Sequence, residues 1–331
     1  MRDGAHKWRA RLLPLAAALV GLALIAALVV HIGAAAVGAA LAAFGWRAFA
    51  AITAIHLGLI AVMGLAWREL LPGARRWVGI WGRLVRDGAA EVLPLSQLGG
   101  YVLGARAVAL AGVAGAAAAG STIVDVTLEF VAQLAYTGLG LASLIYLQPH
   151  AALTRPVAAG LLAAGLAAAG FLLVQHRGFA LFDRLARAVG RGWADRSAAG
   201  AAALHAEIAA IYRRRRGLLV SFLLHLGCWI ASTTESWLAL EIAGRPLAFG
   251  AVLVIESLLY AIRTAAFAVP NALGVQEGAY ILLGAGFGLS PEMALALSLL
   301  KRARDISIGL PALGLWQAVE SRRFFRRSRR A

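Results

Sequence analysis

Apolar positions along the chain fall in long blocks rather than in alternation with polar ones. Leu12–Val30 and Ala48–Ala66 form the first two blocks, Ile123–Leu147 and Val157–Val174 the next two, and Gly217–Ile242 a fifth. Each is close to or above the roughly 20 residues a helix needs to cross a bilayer. Ala248–Gly288 and Glu292–Trp316 are also apolar, but charges, proline and glycine interrupt them. The pattern predicts an all-α polytopic membrane protein. Arg2, Lys7, Arg9 and Arg11 precede the first block, as in a signal peptide. The block exceeds the roughly 7–15 apolar residues of such a peptide, so it reads as an uncleaved span.

Composition supports this reading. The chain is 61% hydrophobic and 15% charged, against roughly 45–50% and 25% in soluble domains. That leaves too little polar surface for a soluble enzyme and too much apolar surface for disorder. Cys228 is the single cysteine, which excludes a disulfide framework and a cysteine-based metal site. No metal, cofactor or enzymatic activity is expected. The net charge of +16 does not point to nucleic acid, because no recognition module accompanies it and the basic residues cluster between apolar blocks.

Those clusters orient the spans. The N-terminus, Arg68–Arg86, the segment ending in Arg213–Arg216, and the tail Arg322–Arg330 are basic. They place both termini, residues 67–88 and residues 176–216 in the cytoplasm of a bacterial inner-membrane protein. The weakly charged stretches His31–Trp46, Gln148–Arg155 and Ala243–Pro246 then face outward. Residues 89–118 must return to the side they left, which a re-entrant helical hairpin achieves. Residues 248–290 form either a second hairpin or two full spans. The expected fold is six full spans plus two re-entrant hairpins; the alternative is eight full spans.

The two interrupted segments resemble each other. Pro94, Leu98-Gly99, Tyr101-Val-Leu and Gly104-Ala105 recur in order as Pro270, Leu273-Gly274, Tyr280-Ile-Leu and Gly284-Ala285. At the same offset, Asp125 and Glu129 correspond to Lys301 and Asp305. An odd number of crossings per unit makes the repeat inverted, a transporter architecture. The predicted units are 1–150 and 151–331. The second includes the amphipathic linker 176–216 and the basic tail 318–331. In the linker, Phe179, Phe182, Leu185 and Val189 recur at helical spacing opposite Arg184, Arg187 and Arg191, as in an interfacial helix.

Charges within apolar blocks mark the candidate site. Ser298, Lys301, Arg302, Arg304 and Asp305 share an arc of roughly 160° on a helix. One acid cannot neutralise three cations, so the stripe must face protein, water or anionic headgroups. Lys301 and Asp305 are spaced for an internal pair. Asp125 and Glu129 read either as counterions to Lys301 and Arg304 or as a proton-binding pair. Asn271, Gln276 and Glu277 lie at a predicted helix break whose free N–H groups suit an anionic headgroup. Gln97 is the corresponding residue of the first hairpin, and Arg106, Arg263 and Glu91 are further charges in apolar surroundings. Ser232–Glu235 is a polar run in mid-span. His31, His56 and His225 stand singly, which favours packing roles, and Cys228 reads as a small core residue.

Val269-Pro-Asn-Ala-Leu-Gly-Val-Gln-Glu-Gly278 and Leu297-Ser-Leu-Leu-Lys-Arg-Ala-Arg-Asp305 resemble the lysylphosphatidylglycerol synthetase transmembrane, or flippase-like, family. Gly274–Gln317 together with Leu93–Gly100 is most similar to its hopanoid-biosynthesis-associated, HpnL-type branch. Relatives carry glycine where this chain has Asn271 and Ala272. The resemblance implies a lipid-handling protein whose partners are membrane lipids, anionic or hopanoid. The family's synthetase is a separate cytosolic domain, and none is expected within these residues. Two functions compete: flippase-like lipid translocation, and a non-transporting scaffold for lipid-synthesis enzymes. A cavity lined by both hairpins would favour the first.

Overall fold

The computed structural model describes residues 18–93, 96–152, 154–189, 194–266 and 269–328. The start of the first apolar block, Pro94, the linker side chains from Phe179 to Arg191 and the last arginines of the tail lie outside the described residues. Among those described there are α-helices and one 3-10 turn but no strand, so the chain is an all-α membrane protein. The helices are α1 (Ala18–Ile32), α2 (Ala34–Glu69), α3 (Arg76–Val92), α4 (Ser96–Leu110), α5 (Gly115–Leu147) and α6 (Thr154–Val189). They continue with α7 (Ala194–Arg213), α8 (Arg215–Ile242), α9 (Phe249–Ala265), the 3-10 turn Pro270–Ala272, α10 (Val275–Ala285) and α11 (Pro291–Ser328). Ala34–Glu69, Gly115–Leu147, Thr154–Leu173 and Arg215–Ile242 are long and apolar enough to cross a membrane.

The polarity of the molecule is inverted relative to a soluble domain. Leu162 and Leu166 on α6 are each 66% exposed, and Leu219 and Leu223 on α8 are exposed as well. Arg83, Arg86, Lys301 and Arg304 are buried. Outward leucine and inward arginine are stable only where hydrocarbon surrounds the protein and the charges meet partners within it.

Both interrupted segments fold as helix, break, helix. In the first, α3 ends at Val92, α4 begins at Ser96, and the two helices pack together. In the second, α9 and α10 flank the turn at Pro270. A long helix follows each hairpin, α5 in one half and α11 in the other. The residue-150 boundary falls in the turn between α5 and α6.

Two details of the sequence reading need correction. The first hairpin begins at Arg76, not at residue 89. Its first arm carries Arg83 and Arg86 into the core, so these two arginines are not part of an exposed basic loop. Their carboxylate partners lie far along the sequence, and the positive-inside count could not see them. His31–Trp46 is mostly helical rather than a loop. Its backbone is broken only at Gly33 (φ 108°) and Gly45 (φ 60°), in the left-handed region that glycine tolerates.

Close approach sets the position of α3. A Cβ on Gly79 would lie 2.2 Å from the Gly64 carbonyl oxygen, so α2 and α3 meet backbone to backbone. Gly88 and Gly309 also bring α3 close to α11, where a Cβ on Gly88 would lie 3.0 Å from the Gly309 Cα. Small residues at such crossings allow the tight packing that replaces the hydrophobic effect in lipid. Elsewhere, Ile208 and Ile211 of α7 are buried with Leu70 and Val124, so the end of the linker packs on α5.

Candidate functional site

A cavity of about 540 Å³ lies between the two hairpins. Its wall draws on α2, on α3 and α4 of the first hairpin, on α5 and α8, on the end of α9 and the turn after it, and on α11. The lining includes charged or polar residues: Arg83, Arg86, Asp87, Glu91, Glu129 and Gln133, with Arg263, Asn271, Arg304 and Asp305. It also includes apolar residues, among them Leu59, Ile60, Met63, Val126 and Phe130. The cavity is therefore amphipathic.

The hairpins are tied where they meet. Asn271 Nδ2 donates to the Glu91 carbonyl oxygen at 2.9 Å. Arg263 Nη2 donates to Glu91 Oε1 at 2.9 Å and to Asn271 Oδ1 at 3.2 Å. The turn that makes this possible holds Asn271 (φ 50°) and Ala272 (φ 46°) in left-handed geometry. Glycine adopts that geometry freely and asparagine tolerates it; alanine does so under strain.

A charged network fills the space between α3, α5 and α8. Arg83 donates to Asp87 at 2.6 Å and to Glu129 at 2.7 Å. Arg86 donates to Asp125 at 2.7 Å and also to Glu129. His225 Nε2 lies 3.0 Å from Asp125 Oδ1. The Arg86 guanidinium also stacks over the Tyr101 ring, 4.7 Å from its centroid. Arg83 Nη1 is buried with no hydrogen-bond partner among the described residues, and Arg83 lies on the cavity wall.

The α11 cations each find a separate acid. Lys301 donates to Glu256 at 2.7 Å, and Tyr280 donates to the same carboxylate at 2.6 Å. Arg302 pairs with Glu277 and donates to the carbonyl oxygens of Asn271 and Ala272, each at 3.3 Å. Glu277 also accepts from the Gly274 N–H at 2.8 Å and from Ser298 at 3.0 Å, and Ser298 accepts from Gln276 at 2.9 Å. Arg304 pairs with Glu235 and with Asp305, the latter at 2.7 Å. His56 Nδ1 lies 2.9 Å from Glu235.

The structure thus divides the sequence-predicted residues. Gln97, Glu129, Arg263, Asn271, Arg304 and Asp305 line the cavity. Lys301, Arg302, Gln276, Glu277 and Asp125 lie behind its wall, holding helices and the second hairpin turn in place. Arg106 is half-exposed and pairs with Glu320 at 2.7 Å, away from the cavity. The expected pairing of Asp125 and Glu129 with Lys301 and Arg304 is replaced. Those acids take Arg86 and Arg83, while the α11 cations take Glu256, Glu277 and Glu235. Asp305 pairs with its neighbour Arg304 rather than with Lys301. His56 and His225, read as packing residues, both face carboxylates. Sequence reasoning missed Arg83, Arg86 and Glu256; their signal was a charge at helical spacing inside an apolar arm.

Fold and site together define a polytopic helical membrane protein with a charged, amphipathic interior cavity. The chain belongs to the family described as lysylphosphatidylglycerol synthase TM region, whose model matches residues 15–311. No curated protein and no solved structure matches the chain. The family places the protein among membrane proteins linked to lipid handling.

Proposed function

We propose that the protein is a flippase-like translocator of the bacterial inner membrane, non-enzymatic, in which the cavity between the hairpins receives a lipid headgroup. The observation that carries this reading is the lining. It combines guanidinium, carboxylate and amide groups with aliphatic and aromatic side chains. A lipid likewise combines a polar headgroup with apolar chains. The unpartnered Nη1 of Arg83 offers a charge-assisted donor to a phosphate oxygen. The resemblance to the hopanoid-associated branch adds a hopanoid or an anionic phospholipid as the lipid class. Under this reading the two hairpins are inverted copies that meet near the midplane, and the basic segments keep both termini in the cytoplasm.

The test is reconstitution into liposomes with fluorescent phosphatidylglycerol in one leaflet, followed by a membrane-impermeant quencher. The proposal predicts protein-dependent loss of sidedness. Protein that retains lipid but moves none would favour the scaffold reading instead.

A further inference from the structure

Among the described residues, the buried ion pairs form five groups. With the histidines neutral, three balance: Lys301 with Glu256, Arg302 with Glu277, and Arg263 with Glu91. Two do not. Arg83 and Arg86 face Asp87, Asp125 and Glu129. Arg304 faces Glu235 and Asp305. Each of these two groups lacks one positive charge, and each contains one histidine against a carboxylate. Uncompensated charge in a core surrounded by hydrocarbon is costly, so neutrality requires one added proton per group, on imidazole or carboxylate.

Both groups place charges on the cavity wall, but their histidines differ in access. His225 is fully buried and is not on the cavity wall. His56, Arg304 and Asp305 are all on the wall. His56 sits between two acids, with Nδ1 2.9 Å from Glu235 and Nε2 3.9 Å from Asp305. The charges facing it are Glu235 from α8, Lys301, Arg304 and Asp305 from α11, and Asp87 from α3. Arg263 from α9 faces Asp305. Lys301 is taken by Glu256 and Arg263 by Glu91, so neither supplies the missing positive charge.

We propose that His56, Glu235, Asp305 and Arg304 form a proton-binding site open to the cavity, whose occupancy is linked to the charge of the headgroup held there. The site takes up one proton from water in the cavity and releases it the same way; no other bond changes. An anionic headgroup nearby favours the protonated site, and its departure favours release. The linkage rests on the cavity being a headgroup site; the proton site itself does not.

The test is pH-difference infrared spectroscopy, from about pH 5 to about pH 8, the range in which histidine–carboxylate groups exchange protons. The protein is held in phosphatidylcholine nanodiscs with and without phosphatidylglycerol. The expected result is a single-proton change that disappears in His56→Gln and in Asp305→Asn. Its midpoint should move to higher pH when phosphatidylglycerol is present. His56→Gln alone decides the matter if Asp305→Asn does not fold. An unaltered difference spectrum in folded His56→Gln overturns the site. A midpoint indifferent to phosphatidylglycerol overturns the linkage. Liposome translocation at one rate with and without a pH gradient also overturns the linkage, while leaving the headgroup reading standing.

Discussion

The side-chain amide of Asn271 donates to the backbone carbonyl of Glu91 at 2.9 Å, joining the turn of the second hairpin to an arm of the first. Arg263 reinforces the joint from α9. The cavity wall therefore depends on contacts between segments about 180 residues apart. Replacing Asn271 with Gly keeps the left-handed backbone and removes only the amide. Asn271→Gly should cost about 1 kcal/mol, the worth of a buried hydrogen bond. Asn271→Ala should cost more, because it adds backbone strain. Thermal melting of the two variants in one detergent separates the contributions.

Ala272, at φ 46°, pays a strain that its neighbour largely avoids. Ala272→Gly should raise stability by about 0.5–1 kcal/mol, the left-handed penalty less the added chain entropy of glycine. A melting temperature below the parent's would show that the buried Ala272 methyl contributes more than the strain costs.

Arg86 answers two acids at once, Asp125 and Glu129. Arg86→Gln should therefore destabilise by about 3–5 kcal/mol, since it strands carboxylate charge in the core. Adding Asp125→Asn should recover part of that loss. Denaturation of the two single variants and the double variant measures the coupling; strictly additive losses would show that the pair is not energetically linked.

At the α2–α3 crossing there is no room for a side chain on Gly79. Gly79→Ala should cost about 1–3 kcal/mol through helix displacement. Because α3 carries Arg83 and Glu91 to the cavity, the same variant should also retain less lipid through purification. Full lipid retention with lowered stability would separate the crossing from the site.

Much of the architecture was legible in the sequence. Blocks such as Ile123–Leu147 and Gly217–Ile242 are long and apolar, and length alone makes them spans. Pro270 marks a break because proline lacks the N–H that a continuing helix needs, and the second hairpin turns there. Pairing was not legible. Arg83 and Arg86 look like topology-setting residues until the fold brings α5 beside them. Glu256 gives no sequence cue that it meets Lys301, 45 positions away. His56 reads as a packing residue in the sequence because its partners, Glu235 and Asp305, are contributed by two distant helices. Charge in mid-span announces that a partner exists, but only tertiary structure says which one.

The central claim is that the cavity between the hairpins holds a lipid headgroup. Val126 of α5 lies on the cavity wall and is only partly buried, so Val126→Trp should push an indole ring into the space without removing a polar partner. The most direct measurement is native mass spectrometry of the parent and Val126→Trp after purification from membranes containing phosphatidylglycerol. The account predicts a retained lipid on the parent and its loss from a Val126→Trp variant that melts at the parent's temperature. Equal lipid retention by the two proteins would contradict it.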